Sequence, residues 1–166
     1  MEHIDERLYK PLYKRPVSVL VLVYSRCGQV LLLQRTDDPC FWQSVTGSLE
    51  PNELPGQAAI RELYEELGIS AEDGAVVDGG YWQTFSIRPQ WRYRYPPGTT
   101  INREYAYYFV CPAPCSVMLS REHISYQWLP ATEAQNMAWS STNQAAIAYH
   151  LLGAELPASS ANTRQT

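Results

Sequence analysis

Apolar residues along the chain form several short, nearly continuous runs. Residues 16–24 (PVSVLVLVY) and 29–34 (QVLLLQ) are rich in Val and Leu and are separated by SRCG, which predicts two buried strands joined as a hairpin. Residues 75–87 (AVVDGGYWQTFSI) and 104–112 (EYAYYFVCP) predict two further strands. YQWL at 126–129 predicts a short last strand.

Other segments have helical spacing or no clear period. Residues 58–68 (AAIRELYEELG) predict a helix that starts after the Pro- and Gly-containing stretch 51–56 and ends at Gly68. NQAAIAYHLL at 143–152 predicts a second, amphipathic helix. In residues 88–95 (RPQWRYRY) arginines alternate with aromatic residues, which favours a strand with one solvent-facing side.

Strands and helices therefore alternate irregularly, and this order favours an α/β fold with a mixed sheet over a doubly wound parallel sheet. A chain of 166 residues predicts one domain, which we place at residues 1–153. Residues 154–166 (AELPASSANTRQT) are polar and lack periodicity, so we expect them to form a flexible C-terminal tail.

Composition excludes several classes of protein. No apolar run approaches the roughly 18 residues of a membrane span, and the first residues (MEHIDERLYK) lack the apolar stretch of a signal peptide, so we expect a cytoplasmic protein without a membrane partner. The four cysteines lack paired metal-binding spacings and are interpreted as ordinary thiols. A net charge of −4 argues against a nucleic-acid partner, including at residues 88–95. An anionic substrate must then be attracted by local arginines or a metal ion.

One cluster of carboxylates is difficult to explain as a solvated helix face. Glu62, Glu65 and Glu66 fall within an arc of ~100° on the predicted helix, and like charges at these spacings destabilise a helix by about 0.2–0.5 kcal/mol per pair. A divalent cation would turn this repulsion into binding, and oxygen ligands on one rigid face suit Mg²⁺ or Mn²⁺. We expect the other side of the helix to pack on the sheet through Ile60, Leu63, Tyr64 and Leu67.

Residues 47–69 (GSLEPNELPGQAAIRELYEELGI) resemble the Nudix box, G-x5-E-x7-R-E-U-x-E-E-x-G-U, in which U is a bulky aliphatic residue. Every defined position matches: Gly47, Glu53, Arg61, Glu62, Leu63, Glu65, Glu66, Gly68 and Ile69. The resemblance implies an α/β/α sandwich around a mixed sheet. It also implies hydrolysis of a diphosphate linked to another moiety, with divalent cations held by the glutamates of the box.

The same resemblance implies a role for each polar position of the box. Glu62 and Glu66 are direct metal ligands, Glu65 is a further ligand or the base that activates water, Arg61 orients the glutamates, Glu53 supports the loop, and Gly47 offers its carbonyl to the metal. A fourth carboxylate outside the box is common in the family. Glu122 is our candidate, with Glu104 and Glu133 as competitors.

Outside the box, YKRPVSVLVLVYS, LLLQR, DDPCFWQSVTGS and RYRYPPG resemble bacterial Nudix hydrolases that act on dihydroneopterin triphosphate in folate synthesis. The resemblance covers most of residues 13–147 and departs at RPQW and at the stretch from Ala138. It implies a pterin triphosphate substrate that is cut to the monophosphate and pyrophosphate. The implied substrate contacts are Lys14 and Arg35 for phosphate, Thr46 for a polar group, and Phe85, Ser86, Ile87 and Arg88 beside the ring.

Three alternatives remain open from the sequence. Trp42 and Trp91 suit packing as well as they suit stacking on a substrate ring. A pterin and guanine present similar hydrogen-bonding edges, so the substrate could instead be a (deoxy)nucleoside triphosphate, and the protein a pyrophosphohydrolase that cleans the nucleotide pool. The last alternative is a non-catalytic Nudix module that senses a ligand, and the complete box argues against it.

Overall fold

The computed structural model describes residues 13–70 and 72–157, so the start of the expected domain and residues 158–166 of the expected tail lie outside it. The elements in chain order are β1 (Val17–Ser25), β2 (Gln29–Arg35), β3 (Trp42–Gln43), β4 (Val45–Ser48), α1 (Pro55–Leu67), β5 (Val76–Ser86), a 3₁₀ helix (Pro89–Arg94), β6 (Ile101–Cys111), β7 (His123–Pro130), α2 (Ala131–Met137) and α3 (Ser141–Leu151).

All seven strands of the described chain belong to one mixed sheet. The central path runs β3-β2-β1-β6-β5, while β4 pairs with β1 and β7 pairs with β2. β1 and β6 are parallel, and the other pairs are antiparallel. The predicted hairpin of β1 and β2 is present at its turn, where Tyr24 lies opposite Val30. Beyond the turn β2 pairs along its length with β7, and β4 takes the antiparallel position beside β1.

Helices cover both faces of the sheet, which explains why β1 is apolar at successive positions. Val19, Val21 and Val23 pack towards α1, whereas Leu20 and Leu22 pack towards α2 and α3. A strand that is buried on both faces shows no polar alternation. The predicted α/β/α sandwich with a mixed sheet is therefore confirmed.

The end of α1 agrees with the sequence prediction, but its beginning does not. The helix starts at Pro55 and includes Gly56, because proline is tolerated at the first helical position, where its missing N–H would have no partner. The side-chain oxygen of Gln57 accepts a hydrogen bond from the Leu54 N–H at 2.9 Å, which supports this start. Gly68 ends the helix in the left-handed conformation, with φ of 72°.

The predicted packing face of α1 was right for Leu63 and Leu67, which are buried, but wrong for Ile60 and Tyr64. Ile60 and Tyr64 are 46% and 62% exposed, while Glu62 and Glu66 are buried. Ala58 and Ala59, rather than Ile60 and Tyr64, pack beside Leu63 and Leu67. At ~100° per residue, Glu66 lies near the middle of the arc that these residues span. The small alanines let the helix approach the sheet closely, and the carboxylates are enclosed as a result.

Two further predictions need correction, and one helix was not predicted. Residues 89–94 form a 3₁₀ helix rather than a strand, since Pro89 starts a turn that the Arg92 side chain closes by donating to the Ile87 carbonyl at 3.0 Å. The last strand begins at His123 rather than at residue 126, and the seven-residue α2 was not predicted. The second predicted helix is present as α3. The cysteines are free thiols, and no helix in the described residues is long and apolar enough to cross a membrane.

Candidate active site

An open cleft of about 1230 Å³ lies between the end of the sheet, the loop before α1 and the 3₁₀ helix. It brings together most of the residues singled out in the sequence: Lys14, Arg35, Thr46, Gly47, Arg61, Glu62, Glu65, Phe85, Ser86, Ile87, Arg88 and Glu122. Seven of the thirteen Lys and Arg residues line it: Lys14, Arg15, Arg35, Arg61, Arg88, Arg94 and Arg121. The same lining includes six carboxylates, Asp37, Glu50, Glu62, Glu65, Glu104 and Glu122, so the cleft offers cations to an anionic ligand beside oxygen ligands for a metal ion.

Arg61 is the centre of the ion-pair network on α1. Its Nε and Nη2 donate to the two carboxylate oxygens of Glu53, both at 2.8 Å. Its Nη1 donates to Glu62 at 2.7 Å and to Glu65 at 3.1 Å, and Nη2 also reaches the Ser48 carbonyl at 3.0 Å. A guanidinium presents five donors in a fixed plane, so this arrangement fixes the directions of several carboxylates at once.

Glu53 lies behind Arg61 rather than in the cleft. Its Oε1 accepts a hydrogen bond from the Glu50 N–H at 3.0 Å, which ties the loop before α1 to the helix. The hydrogen bonds from Arg61 hold the pKa of Glu53 below its usual value, despite an opposing contribution from burial. Arg15 secures the same loop by donating to the Glu50 carbonyl at 2.8 Å.

Gly47 makes room for Glu62. A β-carbon at this position would collide with the Glu62 carboxyl group, so only glycine allows the carboxyl group to lie against the backbone of β4. Glu62 is 8% exposed. Burial raises its pKa to about 7, with the Arg61 charge opposing this rise and Glu65 and Glu122 adding to it.

Glu66 is more deeply enclosed than Glu62. It is 2% exposed, and neither of its carboxylate oxygens has a hydrogen-bond partner among the described residues. Burial, followed by the charges of Glu62 and Glu122, raises its pKa well above the usual value. The backbone of Thr46 opposes this rise without reaching hydrogen-bonding geometry. A carboxylate in this position costs stability unless something positive binds to it.

The structure distinguishes the three candidates for a fourth carboxylate. Glu122 lines the cleft and raises the pKa of both Glu62 and Glu66, so it lies within electrostatic reach of the α1 carboxylates. Glu104 also lines the cleft, but it does not contribute to either shift. Glu133 is exposed on α2 and does not line the cleft.

The carboxylate oxygens present are suitable ligands for a divalent cation, although their side chains do not surround a metal position in the structure. In the part of the chain described, no three His, Cys, Asp or Glu side chains lie close enough together to form a ready metal site. One Glu62 oxygen is instead paired with Arg61. The unpartnered oxygens of Glu66 and the mutual repulsion of Glu62, Glu66 and Glu122 nevertheless match a hard cation that prefers oxygen ligands.

The two cations expected to contact phosphate differ in their surroundings. Lys14 is exposed at the cleft, and its backbone N–H donates to the Arg94 carbonyl at 2.7 Å. Arg35 forms two hydrogen bonds with Asp37, both at 2.7 Å. Lys14 therefore has the freer charge, whereas Arg35 is held in one orientation.

Arginines and aromatic rings pack together at one wall of the cleft. The Arg35 and Arg88 guanidinium carbons lie 4.4 and 4.5 Å from the centre of the Trp91 ring, and Phe41 stacks on Trp139 at 4.6 Å. Trp91 is thus already occupied by cation–π contacts. Trp42 does not line the cleft and packs against the core beside α2 and α3, so packing is the role that the structure supports for it.

Sequence reasoning missed Asn102, which lines the cleft and is fully buried. The sequence of β6 contains a signal that could have identified Asn102. Residues 102 and 104 are polar, whereas the next positions on the same side of the strand, Ala106 and Tyr108, pack in the core. A change from apolar to polar along one face marks the point where the strand leaves the core and enters a site.

A mixed sheet between helical layers and a carboxylate helix anchored by one arginine define the Nudix class of hydrolase. The chain matches the NUDIX domain over residues 14–150 and belongs to this family. It is a Nudix pyrophosphohydrolase, and such enzymes generally use divalent metal ions.

Among its relatives is the dihydroneopterin triphosphate diphosphatase of Escherichia coli strain K12, which is 42% identical over 145 residues, or 86% of this chain and 96% of that protein. The protein of the same name from Haemophilus influenzae is 41% identical over 143 residues, or 84% of this chain and 89% of that one. The solved structure of the E. coli dihydroneopterin triphosphate pyrophosphohydrolase matches with a TM-score of 0.82 and covers 86% of this chain and 99% of that one. The resemblance inferred from the sequence is therefore confirmed.

Proposed function

We propose that this protein hydrolyses dihydroneopterin triphosphate to dihydroneopterin monophosphate and pyrophosphate in folate biosynthesis, with Mg²⁺ as the working cation and Mn²⁺ as a substitute. The observation that carries the proposal is the identity of 42% with an enzyme of that name along almost its whole length. The cleft supports it by joining the α1 carboxylates to a group of cations. Free cysteines suit a reducing compartment, so we place the reaction in the cytoplasm.

Glu62, Glu66 and Glu122 are the proposed metal ligands, together with the Gly47 carbonyl. When bound, the cation supplies neutralisation of phosphate oxygens and a lower pKa for the attacking water. The chain contributes positioning, because Arg61 holds Glu62 and Glu65 in fixed directions. Glu65 is the most exposed carboxylate of the three on α1, and we assign it the role of proton acceptor or additional ligand.

Lys14 and Arg35 are proposed to bind the outer phosphates of the substrate. Both are cations at the rim of the cleft that contains Glu62. The pterin ring then lies beside Thr46 and the segment Phe85–Arg88, where β5 ends. In this orientation water attacks the phosphorus nearest the pterin, and pyrophosphate leaves as one unit.

The test is a panel of triphosphates assayed with Mg²⁺ for release of pyrophosphate and phosphate. Dihydroneopterin triphosphate should give a kcat/KM at least ~10-fold above dGTP and dATP, a difference of about 1.4 kcal/mol. Equal efficiency with the purine nucleotides would instead assign the protein to nucleotide-pool cleaning.

Matched variants separate the role of α1 from general effects of charge. Glu62→Gln and Glu66→Gln should each lower kcat by at least ~100-fold, or about 2.7 kcal/mol of barrier, and should weaken Mn²⁺ binding measured by electron paramagnetic resonance. Glu133→Gln, on the exposed side of α2, is the control and should change neither quantity. Near-normal turnover by a folded Glu62 or Glu66 variant would refute the proposed ligand set.

A further inference from the structure

Glu104 is a buried carboxylate at the floor of the cleft that the proposed reaction leaves unused. It is 6% exposed. By strand register it belongs to a polar row that crosses four strands, in the order Ser48, Ser18, Glu104 and Gln83. Directly opposed residues point to the same face of a sheet, so this row lies together on one face. Gln83 donates to the carbonyl of Thr142 at 3.1 Å, which places the row beneath the start of α3.

Glu104 has no cationic partner within ion-pair distance in the described part of the chain. Burial raises its pKa to about 7, and the Thr142 side chain only partly opposes that rise. A carboxylate that is enclosed without a cation reduces stability. It therefore needs a functional explanation, as Glu66 does on the other face of the sheet.

A buried acceptor without a hydrogen-bond donor lies beside Glu104. Asn102 is two residues earlier on β6, so its side chain points to the same face. It is fully buried, and its Nδ2 donates to the Ser18 hydroxyl at 2.7 Å. Its Oδ1 is buried and has no donor among the described residues. An unmet buried acceptor costs about 1–3 kcal/mol, so the Asn102 oxygen beside the unpaired Glu104 charge favours a ligand that brings N–H donors.

Glu104 does not belong with the proposed metal ligands. Gly47, which contacts Glu62, is opposite Val19 on the face towards α1, whereas Glu104 is opposite Ser18 on the face towards α3. The carboxylates that raise the pKa of Glu62 are Glu65 and Glu122. Glu104 is thus available to contact the organic part of the substrate.

We infer that Glu104, together with the side-chain oxygen of Asn102, recognises the donor edge of the substrate ring. This edge is the ring N–H and adjacent exocyclic amino group of a 2-amino-4-oxo-pyrimidine, which a pterin shares with guanine. A carboxylate accepts two parallel N–H bonds from such an edge. The inference rests on the proposed function, because it assigns the residue that selects the ring of that substrate.

The test compares dGTP with dITP, which differ only in the exocyclic amino group. The wild-type protein should show a kcat/KM for dGTP at least ~10-fold above that for dITP, and Glu104→Gln should reduce this preference to within ~2-fold. Glutamine keeps the shape of the side chain but replaces one acceptor by a donor. Glu133→Gln should keep the full preference, and Mn²⁺ affinity should be unchanged in Glu104→Gln.

The outcomes separate this inference from the proposed function. A wild-type protein without preference for dGTP, an unchanged preference in Glu104→Gln, or a loss of Mn²⁺ binding in that variant would overturn the role of Glu104. The comparison of dGTP with dITP in the wild-type protein tests the inference even if Glu104→Gln does not fold. Efficient hydrolysis of dihydroneopterin triphosphate together with any of these results would leave the proposed function in place. Conversely, a dGTP preference that depends on Glu104 in a protein that rejects the pterin substrate would support the inference alone.

Discussion

Replacement of Glu62 by glutamine should make the metal-free protein more stable at neutral and alkaline pH. Burial raises the pKa of Glu62 from 4.5 to about 7. Between these values the folded protein holds a proton that the unfolded chain has released, so the free energy of unfolding falls as pH rises. A rise of 2.5 pKa units corresponds to about 3 kcal/mol above pH 7.

Glu62→Gln removes this loss because an amide does not titrate. In EDTA at pH 8 the variant should exceed the wild type by up to about 3 kcal/mol, or roughly 6–12 °C in Tm, and the difference should disappear near pH 5. The assay is urea and thermal unfolding from pH 5 to 9, with Glu133→Gln as the control. The reasoning fails if the variant and the wild type lose stability in parallel over this range, or if the variant is the less stable protein at pH 8.

Three other expectations follow from the same contacts. Gly47→Ala should lower kcat at least ~10-fold and cost about 1–3 kcal/mol of unfolding free energy, because its β-carbon meets the Glu62 carboxyl group. Arg61→Lys should lower the free energy of unfolding, measured in urea, by a similar amount, because lysine cannot form both hydrogen bonds to Glu53. A loss below about 0.5 kcal/mol would contradict this. Mn²⁺ affinity, measured by titration, should rise as the pH passes through about 7 and Glu62 loses its proton, whereas a flat profile would show that Glu62 is not a ligand.

The sequence predicted features that depend on local chemistry. Gly68 ends α1 because the left-handed conformation there favours glycine, and the apolar run of residues 16–24 predicted the buried central strand. The spacing of the box residues from Gly47 to Ile69 indicated the family. Each of these signals lies within one segment, so no knowledge of packing was needed.

Features that depend on contacts between distant segments were not predictable in this way. Glu66 was expected opposite the packed face, because Ile60, Leu63, Tyr64 and Leu67 were expected to pack on the other side of the helix. Which face packs was decided by the close approach of Ala58 and Ala59 to the sheet. The pairing of β2 with β7, and the position of Glu104 under α3, likewise depend on register across the sheet.

Hydrolysis of dihydroneopterin triphosphate in ¹⁸O-labelled water, with Mg²⁺ or with EDTA, tests the central claim most directly. We expect no reaction in EDTA. With Mg²⁺ the label should appear in the pterin monophosphate, the pyrophosphate should be unlabelled, and no early orthophosphate should form. Label in pyrophosphate would mean attack at the middle phosphorus, and orthophosphate as the first product would mean attack at the outermost one. Either result would contradict the placement of the outer phosphates at Lys14 and Arg35, and turnover in EDTA would contradict the metal-binding role of Glu62 and Glu66.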